Sequence, residues 1–163
     1  MQNKIEKTTA ILISVFILMT SLIYVPDWNL IGISDSCSIL QRLAFSFFHA
    51  SFLHAALNAW YFLSIVFLYD VSWCRLLSAY VIAAITPSFA LTHTPTVGLS
   101  AICFALAGTL ALQTRHKIYF NVCMAICLAV GCIVPSVNGW IHVYSYVAGL
   151  LVGLLVMPIP CRR

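Results

Sequence analysis

Six stretches of nearly unbroken apolar residues, separated by short polar or proline-bearing joints, set the layout of this chain. They predict helices over about 8–25, 50–69, 74–91, 99–113, 118–135 and 141–158. A helix that crosses a bilayer needs about 20 residues, so six of them use about 120 and leave only short connections. The longest joint, 26–49, mixes Pro26, Asp27, Asn29, Gly32, Asp35 and Ser36 with a later apolar run, part of which is expected in the membrane interface. Pro87, Pro95 and Gly98 interrupt the stretch before Ser100, and Pro135 closes the fifth run. Lys4 and Lys7 ahead of an apolar run have the look of a signal peptide, but no small-residue cleavage site follows, so the run reads as a retained first helix. The expected architecture is all-α: a polytopic membrane protein, one six-helix domain over residues 1–163, with no room for a second domain.

Composition narrows the class. Of 163 residues 63% are hydrophobic and 7% charged, with a mean hydropathy of +1.03, where soluble domains carry roughly 25% charged residues. A water-soluble core cannot absorb this much apolar sequence. The net charge of +4 is no nucleic-acid signal, because the basic residues sit at joints where they report topology. With the N-terminus inside, Lys4, Lys7, Arg75, Arg115, Lys117, Arg162 and Arg163 fall on the inner side and only Arg42 on the outer. That bias predicts an even number of spans with both termini cytoplasmic.

In such a chain, polar groups at membrane depth are functional candidates. Counting from the helix starts puts Ser100, His142 and the pair His54 and Asn58 at one level, a turn or two below the outer surface. Helical phase adds to this. Ser100, Cys103, Ala107 and Ala111 fall on one face of their helix, and His142, Ser145, Gly149 and Gly153 repeat the same offsets. Stripes of small residues let helices approach closely in lipid, and pairing these two would bring Ser100 opposite His142. A serine needs a base to become a nucleophile, and His142 is the base at matching depth. Only four acids occur, Glu6, Asp27, Asp35 and Asp70, all expected outside the membrane, so a Ser–His dyad is expected in place of a triad. His54, Asn58 and the Ser100 amide could supply donors to an oxyanion. Each piece alone also has an ordinary explanation, since small-residue faces are common packing and Asn58 could simply bond across helices.

The run Phe48-His49-Ala50-Ser51-Phe52-Leu53-His54-Ala55-Ala56-Leu57-Asn58, then Gly98-Leu99-Ser100, then a late helix with His142 and spaced small residues, resembles the rhomboid family of intramembrane serine proteases, in its compact six-helix bacterial-type form. The resemblance runs from about residue 40 to 155. It implies a rhomboid-like bundle with Ser100 as nucleophile and His142 as base, and with His54 and Asn58 lining the oxyanion hole. His49 would brace the loop before the second span. Gly98, Phe104 and Gly149 would be structural residues near the site. It further implies cleavage of single-span membrane proteins near their outer boundary, with small side chains at the cut and an unwound helix. The setting would be a bacterial inner membrane. Neither cofactor nor metal is implied.

Ala101 stands where the family usually has glycine, Phe104 where tyrosine is frequent, and Ser145 where a glycine is expected. None of these removes a catalytic group, so an active enzyme is expected. The alternative is a catalytically inactive rhomboid-like protein that binds membrane clients. A metal enzyme built on His49, His54 and His142 lacks any His-Glu-x-x-His motif. A haem protein would want histidines at opposed depths. His93, in the loop before Ser100, is a rival base, and His116 belongs to a basic inner loop. The seven cysteines read as small hydrophobes, with no outer disulfide implied.

Overall fold

The computed structural model describes residues 3–69 and 71–155. The described chain is helical: α1 (Asn3–Thr20), α2 (Ile39–Ala44), α3 (Phe52–Leu68), α4 (Trp73–Ala84), α5 (Ser100–Leu110), α6 (Lys117–Ile133) and α7 (Gly139–Leu155), with single 3-10 turns at Trp28–Leu30, Phe45–Phe47 and Ser88–Ala90. No strand occurs among the described residues, only an isolated bridge between Ile33 and Thr96.

Six of these helices overlie the six apolar runs, but most are shorter. The first is expected over 8–25 and forms over Asn3–Thr20. Its end is set by hydroxyls: Thr20 Oγ1 donates to Ile17 O and Phe47 O, and Ser21 Oγ donates to Leu18 O, which ties off the last turn. The third, expected to reach residue 91, stops at Ala84 ahead of Thr86-Pro87, because proline can neither continue the helix nor let its predecessor stay helical. The fourth, expected to reach 113, is helical only to Leu110, where the chain turns. The last is described to Leu155, so the end expected at 158 lies outside the described residues.

Among the described residues no single helix is long and apolar enough to cross a membrane alone. The pair Ile39–Phe47 and Phe52–Leu68 passes that test together, bent by 84°. The 26–49 connection holds α2, whose start is closed reciprocally: Ser38 Oγ accepts from the Gln41 amide and Gln41 Oε1 accepts from the Ser38 amide at 2.7 Å. Ile39, Leu40 and Leu43 of α2 are exposed.

The core is organised around α5, in which every residue from Ala101 to Leu110 is buried. α7 covers it most extensively, α4 flanks it, and α1 packs on α3. At the far end of α5 from Ser100, Arg75 donates to Thr109 O and Gln113 Oε1. Counted with the inner loop cations from sequence, Arg75 is buried. The carbonyls at the C-terminal end of a helix lack partners of their own, and a guanidinium satisfies them there.

The connection before α3 and the connection before α5 are knitted together. Ile33 and Thr96 exchange amide–carbonyl bonds at 3.0 and 2.9 Å. Arg42 donates to Thr86 O at 2.6 Å. Asn138, just before α7, donates to Ala90 O at 3.0 Å and Thr96 Oγ1 at 3.3 Å. These bonds hold the approach to Ser100 against the start of α7.

Candidate active site

Gly98 sets the turn that starts α5. Its φ of +127° is the only positive φ among the described residues, and it belongs to a region that L side chains rarely adopt. A side chain there would also crowd the His54 ring: a Cβ at Gly98 would lie 2.9 Å from His54 Cε1 and 3.1 Å from His54 Nε2, so the ring would have to move. The Gly98 amide donates to Phe45 O at 3.0 Å, and the Leu99 amide donates to His49 Nε2 at 3.1 Å. Two successive amides are thus tied to the 45–49 segment. The next one, on Ser100, is the first of α5 and has no partner among the described residues, as expected of an N-terminal helical N–H.

Ser100 Oγ lies 2.8 Å from His142 Nε2. The imidazole of His142 is buried and stacks on Phe104, with ring centroids 4.6 Å apart and planes 24° apart. On its Nδ1 side it meets α6 at Gly131, where a Cβ would lie 3.3 Å away. The ring is therefore held by a stack and a backbone, and its Nε2 faces the serine. The rival base His93 points elsewhere: its Nδ1 pairs with Asp35 at 2.6 Å on the exposed surface.

α3 supplies the other polar groups. Ser51 caps it, accepting from the His54 amide at 3.2 Å, and this sets the helix to begin at Phe52, two residues before His54. His54 and His49 meet edge to face with centroids 5.0 Å apart. Asn58 Nδ2 donates to His54 O at 3.1 Å, which uses one of its two hydrogens. The same Nδ2 lies 3.6 Å from the position a Gly98 Cβ would take. His54, Asn58, Gly98 and Ser100 therefore surround one small region. Among the described residues no group of His, Cys, Asp or Glu is arranged to hold a metal ion.

The helix phase needs a correction on one side. Gly149 and Gly153 do face α5, but they meet Ala105 and Thr109, while Gly108 meets Tyr146 and Leu150. A Cβ on Gly153 would stand 2.7 Å from Thr109 O, and one on Gly149 would overlap the Ala105 carbonyl. The seam on α5 is thus Ala105, Gly108 and Thr109, not Cys103, Ala107 and Ala111. Cys103 turns instead to α3, its thiol 3.9 Å from Asn58 O. α5 is buried on every side and carries small residues on more than one face, so the small-residue pattern alone could not select the face. Gly131 and Asn138 carried no sequence signal beyond a glycine within a helix and an asparagine before a helix start.

The Rhomboid domain family model matches residues 37–163. No curated protein and no solved structure matches the chain. The match covers most of the chain, which belongs to the rhomboid family, a membrane-embedded family whose members are generally intramembrane serine proteases.

Proposed function

We propose that this member of the rhomboid family is an intramembrane serine endopeptidase, with Ser100 as nucleophile and His142 as general base. The observation that carries the reading is the 2.8 Å contact between Ser100 Oγ and His142 Nε2, beside an unpartnered Ser100 amide. In the first step His142 Nε2 takes the Ser100 proton as Oγ bonds to the scissile carbonyl carbon. The carbonyl oxygen becomes an oxyanion, to which the Ser100 amide, His54 and Asn58 donate. His142 then gives its proton to the leaving amine, the C–N bond breaks, and an ester on Ser100 remains. A water then gives a proton to His142 as it bonds to the ester carbon, and His142 returns that proton to Ser100 Oγ as the acid leaves, which restores the hydroxyl.

With no carboxylate within reach of His142 among the described residues, the Phe104 stack and the Gly131 backbone do the orienting that an acid does in a triad. The substrates of this reading are single-span membrane proteins, cut near their outer boundary. The chain would sit in a bacterial inner membrane as six spans with both termini cytoplasmic.

Labelling of the full chain with a fluorophosphonate tests the assignment. Wild type is expected to label covalently and to cleave a single-span reporter, while Ser100→Ala does neither and keeps its expression level. Equal labelling of Ser100→Ala and wild type would reject Ser100. A folded wild type that neither labels nor cleaves would favour an inactive client-binding protein.

A further inference from the structure

Thr96 stands four positions ahead of Ser100 and Asn138 four positions ahead of His142, and their side chains meet. Asn138 Nδ2 donates to Ala90 O at 3.0 Å and to Thr96 Oγ1 at 3.3 Å, which uses both of its hydrogens. Chemistry fixes which end of the side-chain amide faces this way, because Ala90 O can only accept and must meet the NH2 group. An asparagine just ahead of a helix ordinarily caps it, its side-chain oxygen accepting from an amide of the first turn. Asn138 does not do this for α7: its Oδ1 is buried and has no partner among the described residues. The side chain thus serves the connection before α5 and not its own helix. That connection is held from another side as well, where Thr96 exchanges both backbone bonds with Ile33. Between Thr96 and Ser100 lie only Val97, Gly98 and Leu99, and the last two amides are anchored to Phe45 O and His49 Nε2.

We propose that Asn138 is a positioning residue, whose side-chain amide clasps the connection that presents Ser100 to the start of the helix that carries His142. On the C-terminal side of the reacting pair, α5 and α7 are already fixed to each other, at Ala105 with Gly149 and at Thr109 with Gly153. On the N-terminal side the clasp does the same work through two hydrogen bonds. The 2.8 Å contact between Ser100 Oγ and His142 Nε2 is therefore bracketed from both ends. Without the clasp, the seam alone would hold α7, and the connection before Ser100 would be free to shift against it. A role in positioning the pair rests on the protease reading, whereas the clasp itself does not.

The test uses the full chain in detergent micelles at about pH 8, where an aspartate side chain is ionised, and reads amide hydrogen exchange alongside cleavage of a single-span reporter. Asn138→Asp separates a clasp from a cap: aspartate caps a helix as well as asparagine does, but an ionised carboxylate cannot donate to Ala90 O or Thr96 Oγ1. It is expected to speed exchange of the Ile33 and Thr96 amides and to leave the first turn of α7 as in wild type. It should also lower kcat about tenfold with KM nearly unchanged, as small misplacements at a reacting centre do. Thr96→Val, which keeps the shape and removes one acceptor, should act in the same direction with a loss of about threefold in kcat. Thr96→Ser, which keeps the hydroxyl, should retain both exchange and kcat. Wild-type exchange at Ile33 and Thr96 in Asn138→Asp, or faster exchange confined to the first turn of α7, overturns the clasp. Should Asn138→Asp not fold, wild-type exchange in Thr96→Val overturns it instead. Faster exchange with an unchanged kcat overturns the positioning role. A wild type that does not cleave, with the expected exchange in the variants, would overturn the protease reading and leave the clasp standing.

Discussion

α5 is enclosed along its whole length, whereas α6, the next long helix, buries only Met124 and Gly131. Both are apolar, so hydrophobicity does not separate them. Size does. α5 offers Ala101, Ala105, Ala107 and Gly108 to its neighbours, while α6 turns Ile118, Tyr119, Val122, Ile126, Val130 and Ile133 outward. Between helices in lipid there is little hydrophobic drive, and close backbone approach between small residues takes its place. The Ser100–His142 pair lies on α5 and α7, the two helices locked in this way. α6 meets His142 at Gly131.

The strongest way to break this contrast is to force the seam apart. Gly149→Leu puts a side chain where the Ala105 backbone lies, and overpacking of this kind costs about 1–3 kcal/mol. Displacing His142 by about 1 Å is expected to lower cleavage on the order of 100-fold with both reacting residues intact. Leu151→Ala, an exposed position on the same helix, should leave cleavage near wild type. Full activity of Gly149→Leu in liposomes would mean that the seam does not position the pair.

A smaller effect is expected on the α3 side of the site. On the proposed reading, Asn58→Ala and His54→Ala each remove a donor to charge present only in the transition state. Each should lower kcat by about 10- to 100-fold, short of the largest single-donor losses because the other donors stay in place. Steady-state kinetics that show only a raised KM would remove these two residues from the oxyanion role.

The smallest effect sharpens the contrast from the α6 side. Gly131→Ala places a methyl group 3.3 Å from His142 Nδ1, which asks for a shift of a few tenths of an ångström. A loss of about two- to fivefold in kcat is expected. Ile126→Ala, on the exposed face of the same helix, should change kcat by less than that. If the two variants behave alike, α6 contributes nothing specific to the base.

Much of this arrangement can be read in the one-dimensional pattern. The order of the six long helices follows from the apolar runs, and the shared depth of Ser100 and His142 follows from counting residues from each helix start. Helix ends are less legible, because they depend on single polar contacts such as Thr20 with Phe47 O, made across 27 positions. The face of α5 that meets α7 was not legible at all. Phase selects a face only when the other faces differ, and on α5 small residues (Cys103, Ala105, Ala107, Gly108) occur on more than one face, all of them buried. Arg75 has a role that its place at a helix start does not show: it is buried and donates to a carbonyl of another helix. The polar links at His49 and Asn138 join residues some fifty apart, at 50 and 48 positions, and no local pattern marks them.

The order of α5 and α7 along the chain has a consequence for biosynthesis. The ribosome delivers Ser100 well before His142, so a chain interrupted between Ser100 and Gly139 carries the proposed nucleophile without its base. It also leaves the Gly108 face of α5 without the helix that covers it. On the proposed reading, cleavage then waits until translation has passed His142. A truncated chain would be inert toward its neighbours in the membrane and, with its central helix uncovered, a ready target for quality control.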